Sequence, residues 1–368
     1  MGQKELLLKK EEQVVFGLRR LFEQYGYRRF EMSKFEEYDF YAENRSFLDS
    51  ENILTFTGLD GKLLALKPDV TLSIVKNSKG SLDAADRVYY NENVYRARKG
   101  DKEYREIMQA GLEYIGPIDT YAVLEVLLLA KRCLEMIDGP YLMDLSHMGF
   151  VAGLLEGAGL AGGKKKRLLK AIREKNGHEL YELCESEGVS EEMRGRLTAL
   201  ASIYGPLKET LPAVKALCCS ERTGAAYAEL FEICRCLEVC GELSRVSLDF
   251  SVVNDMDYYN GITFQGFIEG IPNGVLSGGR YDSLVHKLGK KGGAVGFAVY
   301  VHLLERFRTQ RKEYDTDVLL LYGRKADPAA VACAAKKLAE NGERVMVCRE
   351  NTGCVRFKRL LSIEGGEE

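Results

Sequence analysis

The residues best placed to do chemistry lie between Arg87 and Gly116, in the run RVYYNENVYRARKGDKEYREIMQAGLEYIG. The pattern predicts two antiparallel strands joined by a charged loop, with Gly100 available for an unusual φ in the turn. In the second strand Met108, Ala110, Leu112 and Tyr114 alternate with Gln109, Gly111 and Glu113. The first set predicts a face packed on a core. The second puts an amide, bare backbone and a carboxylate in a row beside Arg96. A solvated face carries more Lys, Thr and Ser than this, so the row reads as a pocket floor, where glycine lets a ligand approach. Such a set suits a ligand carrying a cation and hydrogen-bond donors.

The remaining elements must hold that row in place. Glu5 to Tyr25 reads as a helix stopped by Gly26, and Arg28 to Tyr41 as strand-like. Ile53–Phe56 and Lys62–Lys67 form an expected hairpin, broken by Pro68, and Asp69 or Thr71 caps a short helix through Val75. Asp119 caps a long helix to about Met136, and Tyr141 to Leu145 returns as a strand. Gly149 to Glu242 has helical periodicity throughout and reads as a helical insertion. Strands resume at Arg245–Val253 and Tyr258–Ile268. A glycine turn at Ser277 to Gly279 is expected to lead into Arg280, Tyr281, Asp282 and a helix. Ala294 to Phe307 reads as strand then helix, and the chain ends as β-α-β over Val318–Tyr322, Pro328–Glu340 and Arg344–Cys348. A unit of that size is small for an independent domain.

Composition narrows the class. The chain has 368 residues, 46% hydrophobic and 29% charged, as in ordinary soluble proteins. A net charge of −3 supplies no overall field for nucleic acid. The charged amphipathic N-terminus is not a signal peptide, and no apolar run is long enough to span a bilayer. Ten cysteines without a secretory signal imply reduced thiols and a cytoplasmic protein. Cys218, Cys219, Cys234, Cys236 and Cys240 read as buried structural cysteines rather than a zinc site, since no CxxC pair occurs. The basic run Lys164 to Arg167 reads as a solvated helix face, because no aromatic residues interleave with it. No P-loop, HExxH or GxSxG is present, and the four histidines lie in unrelated contexts. Neither a metal nor a cofactor is expected.

Six segments in order carry a resemblance: Leu66 to Thr71, Tyr95-Arg96, Gln109 to Glu113, Asp257 to Gly261, Gly278 to Asp282 and Ala294 to Phe297. Together they resemble the catalytic core of class II histidyl-tRNA synthetases, from about Tyr25 to Phe307. The resemblance implies an α+β fold with an antiparallel sheet flanked by helices, and a homodimer. It divides the chain into a core of residues 1–312, with the insertion at about 149–242, and a truncated α/β unit of residues 313–368. In that family the counterpart of Arg96 clamps the ATP α-phosphate. The counterparts of Asp69, Thr71, Gln109 and Glu113 hold the ammonium and imidazole of histidine, and those of Tyr258 and Tyr259 line the imidazole pocket.

The departures from the family pattern point to function. Asn254 and Leu303 stand where synthetases carry phosphate- and substrate-binding arginines, Asp255 and Tyr300 replace glycines, and Glu103 replaces a loop arginine. Arg306 lies one helical turn beyond Leu303. Losing one preorganised donor typically costs ~10²–10³ in rate, so two lost arginines imply no activation chemistry. A synthetase-like core stripped in this way resembles the regulatory subunits of ATP phosphoribosyltransferase. That resemblance implies no chemistry of its own and a short-form catalytic partner in a hetero-octamer. It also implies histidine as effector in the first step of histidine biosynthesis, and no engagement of tRNA. Phe30 to Tyr41 is the expected homodimer edge, with Ser33 where a proline is usual. A synthetase-like RNA-binding or amino-acid-sensing module, and a divergent synthetase, remain as alternatives.

Overall fold

The computed structural model describes residues 10–48, 53–97, 103–137, 139–160, 162–252, 258–304, 313–351 and 353–363. Packing divides the chain into two compact units, Met1–Phe307 and Arg308–Glu368.

In chain order the first unit runs α1 (Lys10–Gln24), β1 (Arg28–Arg29), β2 (Phe35–Glu37), α2 (Tyr38–Glu43), β3 (Thr55–Thr57), β4 (Leu63–Leu66), α3 (Thr71–Asn77), β5 (Asp86–Ala97), β6 (Tyr104–Gly116), α4 (Thr120–Met136) and β7 (Tyr141–His147). The insertion follows as α5 (Met148–Gly157), α6 (Gly163–Arg173), α7 (Gly177–Ser186), α8 (Glu191–Ser202), β8 (Tyr204–Pro206), α9 (Leu207–Ala216) and α10 (Glu221–Val239). The unit closes with β9 (Val246–Asp249), β10 (Ile262–Ile268), β11 (Leu276–Arg280), α11 (Asp282–Lys287) and β12 (Gly293–Tyr300).

Nine strands form one sheet in the order β1-β5-β6-β12-β11-β10-β7-β9-β8. Pairing is antiparallel except at β1–β5 and β7–β9. One face packs on α1, α4, α5 and α10. There Ala110, Leu112 and Tyr114 join Phe22, Leu127 and Phe297 in the larger core, with Met108 against it. Helix α4 starts where Asp119 accepts a hydrogen bond from the Ala122 N–H at 2.8 Å, satisfying one of the four orphan donors of a helix start. The other face carries a second core of Leu72, Ile74, Tyr90, Val94, Tyr281 and Leu284, brought by α3, α11 and the sheet. The site lies on this second face.

The register gives the strand glycines their purpose. Gly279 pairs with Gly296, and Gly296 pairs with Glu113. A Cβ on Gly278 would fall 2.4 Å from the Gly296 carbonyl oxygen and 2.5 Å from Phe297 Cβ. Ser277 to Gly279 is therefore not a turn, as expected, but the middle of β11, with glycine required by close packing.

Other expectations are also corrected. The aromatic stretch to Tyr41 is strand only at Phe35–Glu37, and Tyr38–Glu43 is helical. As a helix it buries Tyr41, whose hydroxyl lies 3.4 Å from Ser73 Oγ. After β12 the described chain makes a 3-10 turn at Val301–Leu303; Arg306 lies outside the described residues, as do Arg98 and Gly100. The insertion packs within the first unit, with α5 and α10 contributing to its larger core. Within it Lys164 pairs with Glu187, and the cysteines divide: Cys234 is buried, whereas Cys219 and Cys240 are exposed.

The second unit has β13 (Thr316–Tyr322), α12 (Pro328–Glu340), β14 (Val345–Cys348) and β15 (Phe357–Ile363). It does not stop at β-α-β. A third strand pairs parallel with the far edge of β13, giving the order β14-β13-β15. Asp317 ties this sheet to Arg344 and Lys358, which hold its carboxyl well below the usual carboxylate range. Among the described residues no helix is long and apolar enough to cross a membrane.

Gly278→Ala tests the close approach of β11 and β12. The added methyl meets backbone that cannot move away, and overpacking of this kind costs about 1–3 kcal/mol. The urea midpoint of the variant is expected to fall with an unchanged slope.

Candidate functional site

Eight side chains or glycines of one cavity follow from strand alternation alone. Tyr90 on β5, Gln109 and Glu113 on β6, Gly296, Ala298 and Tyr300 on β12, Ser277 on β11 and Gln265 on β10 share one sheet face through the register. All eight line a cavity of about 630 Å³. Asp69, Thr71, Arg96, Tyr258 and Tyr259 line it too, so all seven residues singled out in the sequence meet in one place.

Arg96 sets the position of the loop before α3. Its Nε donates to the Pro68 carbonyl at 2.6 Å and its Nη2 to Asp69 Oδ2 at 3.2 Å. Asp69 Oδ1 accepts from the Leu72 N–H at 2.8 Å, inside the first turn of α3. Asp69 and Arg96 thus bind each other, and the guanidinium neutralises the carboxylate. The anchored turn directs Thr71 at the sheet, where its hydroxyl donates to Glu113 Oε1 at 2.8 Å.

Glu113 is 2% exposed. The Tyr281 hydroxyl donates to its other oxygen, Oε2. Tyr281 is itself fixed: its N–H donates to the Ala294 carbonyl at 2.8 Å, and the next residue, Asp282, accepts from Ala294 N–H and from Arg280. Burial pushes the Glu113 carboxyl up to about 8, against the two hydroxyl donors that favour its charged form; Asp69 adds to the rise. The space for this carboxylate exists because residue 296 is glycine. A Cβ there would lie 1.7 Å from Glu113 Oε2.

Aromatic rings wall the rest. Tyr258 packs on Tyr259 with centroids 4.6 Å apart, on Tyr281 at 5.5 Å and on Phe47 at 5.9 Å. The Tyr259 ring lies over Gly279, where a Cβ would come within 2.7 Å of it. Burial drives the phenols of Tyr90, Tyr258 and Tyr281 well upward, so all three stay protonated hydrogen-bonding groups.

The pocket floor expected at Gly111 is corrected. Tyr90 pairs with Gly111 across the strands, and a Cβ at 111 would meet the Tyr90 hydroxyl at 2.7 Å. The glycine admits a phenol of this protein, so Tyr90 forms the surface at that point. Tyr90 was legible as a bulky residue opposite a glycine; Tyr281, Ser277 and Tyr300 sit inside motifs already noted. Arg173, from the last turn of α6, also lines the cavity and had no sequence signal. Asn254, Asp255 and Asp257 lie outside the described residues. Leu303 packs against the larger apolar core, the Tyr300 hydroxyl is 2.7 Å from Ser277 Oγ, and Glu103 is exposed. His147 is a satisfied core histidine, with Nε2 3.0 Å from Glu229 and Nδ1 accepting from the Phe150 N–H. Among the described residues no cluster of three or more metal-ligating side chains occurs.

The arrangement binds rather than reacts: one buried acid with a raised pKa, hydroxyl donors and a wall of phenols. The raised value has a stability consequence. Folded Glu113 holds its proton to about 8, whereas the unfolded chain releases it near 4.5. Between those values the native state carries the extra proton, so stability falls as pH rises through the window. Glu113→Gln lacks this penalty. Relative to the wild type, its melting temperature is expected to gain between pH 5 and pH 8.5 and to show no such gain below pH 4.5.

Comparison with known proteins identifies the family. The histidyl-tRNA synthetase family model matches residues 6–304. The ATP phosphoribosyltransferase regulatory subunit of Clostridium kluyveri is 30% identical over 355 residues, covering 93% of this chain and 90% of that protein. The protein of the same name from Geobacter metallireducens is 28% identical over 358 residues, covering 94% and 82%. A crystal structure described as an ATP phosphoribosyltransferase regulatory subunit/histidyl-tRNA synthetase from Bacillus halodurans C superposes with a TM-score of 0.78 at 25% identity, covering 97% of this chain and 95% of that one. The chain belongs to the histidyl-tRNA synthetase-like family, among its ATP phosphoribosyltransferase regulatory subunits.

Proposed function

We propose that this chain is the non-catalytic regulatory subunit of ATP phosphoribosyltransferase. It activates a short-form catalytic subunit in the first step of histidine biosynthesis, and the sheet cavity holds histidine as the feedback signal. One observation carries this reading: among the described residues, hydroxyls and phenols gather round one buried acid, while Leu303 and Tyr300 stand where the family pattern has an arginine and a glycine. Glu113, Thr71, Tyr258, Tyr259 and Tyr281 form a connected set around one acid. Leu303 packs against the apolar core, and Tyr300 projects from β12 opposite Gln109. Phosphoryl and adenylyl chemistry needs cations aimed at developing charge, and these positions offer an apolar side chain and a phenol. Arg96, the counterpart of the arginine that clamps the ATP α-phosphate in synthetases, is turned onto Pro68 and Asp69.

Histidine suits the cavity chemically. Its ammonium meets Glu113, and the tyrosines flank the ring in the manner of an aromatic cage. We place the protein in the cytoplasm as a homodimer assembled with the catalytic subunit into a hetero-octamer. The segment from Phe30 to Tyr41 is offered as the homodimer edge.

The purified chain is expected to show no histidine-dependent pyrophosphate exchange. Mixed with the cognate short catalytic subunit, it should co-elute, raise turnover and confer inhibition by histidine. Exchange above background, or neither association nor activation, rejects the assignment.

A cation at Glu113 displaces the proton that burial keeps there. Calorimetry should therefore find histidine binding that releases a proton and tightens with pH from 6.5 to 8, by at most about tenfold per unit for one linked proton. Glu113→Ala should abolish this pH dependence and most of the affinity. If binding and inhibition survive Glu113→Ala unchanged, the effector site is elsewhere.

A further inference from the structure

We infer that Arg173, at the end of α6, takes the carboxylate of the amino acid in the sheet cavity, so that the helical insertion completes the site. The inference rests on the reading that this cavity binds an amino acid.

Its starting point is the distribution of charge. At one wall the cavity presents the buried acid Glu113 between two hydroxyl donors. Arg96 adds little net positive charge there, because its guanidinium is spread over the Pro68 carbonyl and the Asp69 carboxylate. Arg173 reaches the cavity from a different element, beside Ser251 and Val252. An amino acid has one cationic and one anionic end, and an acid on one wall with a guanidinium from another matches that polarity. Guanidinium is also the side chain best shaped for a carboxylate, which it binds through paired N–H donors.

The end of α6 is held at the cavity by a specific device. Lys175 has φ +53°, a left-handed conformation that glycine usually supplies just beyond a helix end. The chain closes there with Lys175 N–H donating to the Ile172 carbonyl and Asn176 N–H to that of Ala171. Lysine at this position has a use that glycine lacks. Its Nζ donates to Asp249 Oδ2 at 2.7 Å and lies 4.4 Å from the Tyr204 ring centroid. The other oxygen, Oδ1 of Asp249, accepts from the Ser251 N–H at 2.8 Å. One buried aspartate thus ties the α6 terminus to the backbone of a cavity-lining residue, two positions from Arg173. The helix end is fixed to the sheet as well as to its own last turn, which is the constraint a ligand-contacting side chain requires.

Calorimetry on the full-length chain with histidine and histidinol, which has an alcohol in place of the carboxylate, tests the assignment. Arg173→Ala should weaken histidine at least about tenfold, the scale of one charge-assisted pair, and leave histidinol within about twofold. Arg173→Lys should restore part of the loss. Lys175→Ala should move histidine in the same direction as Arg173→Ala while sparing histidinol. If the wild type binds histidine but Arg173→Ala leaves the histidine-to-histidinol ratio unaltered, Arg173 does not read the carboxylate and the inference fails alone. If the wild type binds no histidine, the amino-acid reading of the cavity fails and takes the inference with it.

Discussion

The structure turns on one substitution of space: a carboxylate oxygen of Glu113 occupies the volume that a side chain at position 296 would need. Glu113 and Gly296 face each other across β6 and β12. Burying an acid at the centre of a sheet is costly unless its oxygens are satisfied. Here the satisfying groups are distant in sequence. Thr71 arrives from α3, held by the Arg96–Asp69 pair, and Tyr281 arrives from the turn after β11, held by the Ala294 backbone. A shift of one residue in the β6–β12 register would send Glu113 into the apolar core under α4. The sheet register, the α3 loop and the β11–α11 turn are therefore mutually dependent through one acid.

The same constraint explains what the cavity is suited to do. A carboxyl poised near 8 and surrounded by phenols responds to a cation by giving up its proton, which makes it a recognition group. Group transfer to or from a nucleotide would need an arrangement of cations toward a phosphate chain. At the corresponding places stand Leu303, packed against the apolar core, and Tyr300, bonded to Ser277. A fold in which an apolar side chain and a phenol stand at these two positions lacks, there, the cations that such chemistry needs.

The glycines of the central strands follow a common logic. Gly111 lies under the Tyr90 phenol, Gly279 under the Tyr259 ring, and Gly296 beside the Glu113 carboxylate. In each case the missing side chain is replaced by one from another segment. The strand backbones thus remain continuous while the face above them is furnished from elsewhere, which accounts for a largely polar cavity on a sheet otherwise built for burial.

What the sequence determined by itself was periodicity and residue type. The alternation from Met108 to Tyr114 assigned one set to the core and the other to the site, because a strand must send successive side chains to opposite faces. The Asp119 cap and the apolar run behind it placed α4, and six ordered segments identified the family. Tertiary structure decided whatever depends on chain segments meeting. Residues 277–279 looked like a turn because local propensity for glycine is a turn propensity; packing against β12 makes them strand. Tyr38 to Tyr41 looked extended for its aromatic content and became part of a helix that buries Tyr41. Gly111 looked open to a ligand and is covered by Tyr90, because cross-strand register is a property of two segments. Arg173 had no local signature at all: its place in the cavity comes from the insertion folding back on Asp249, a contact 74 residues apart in sequence.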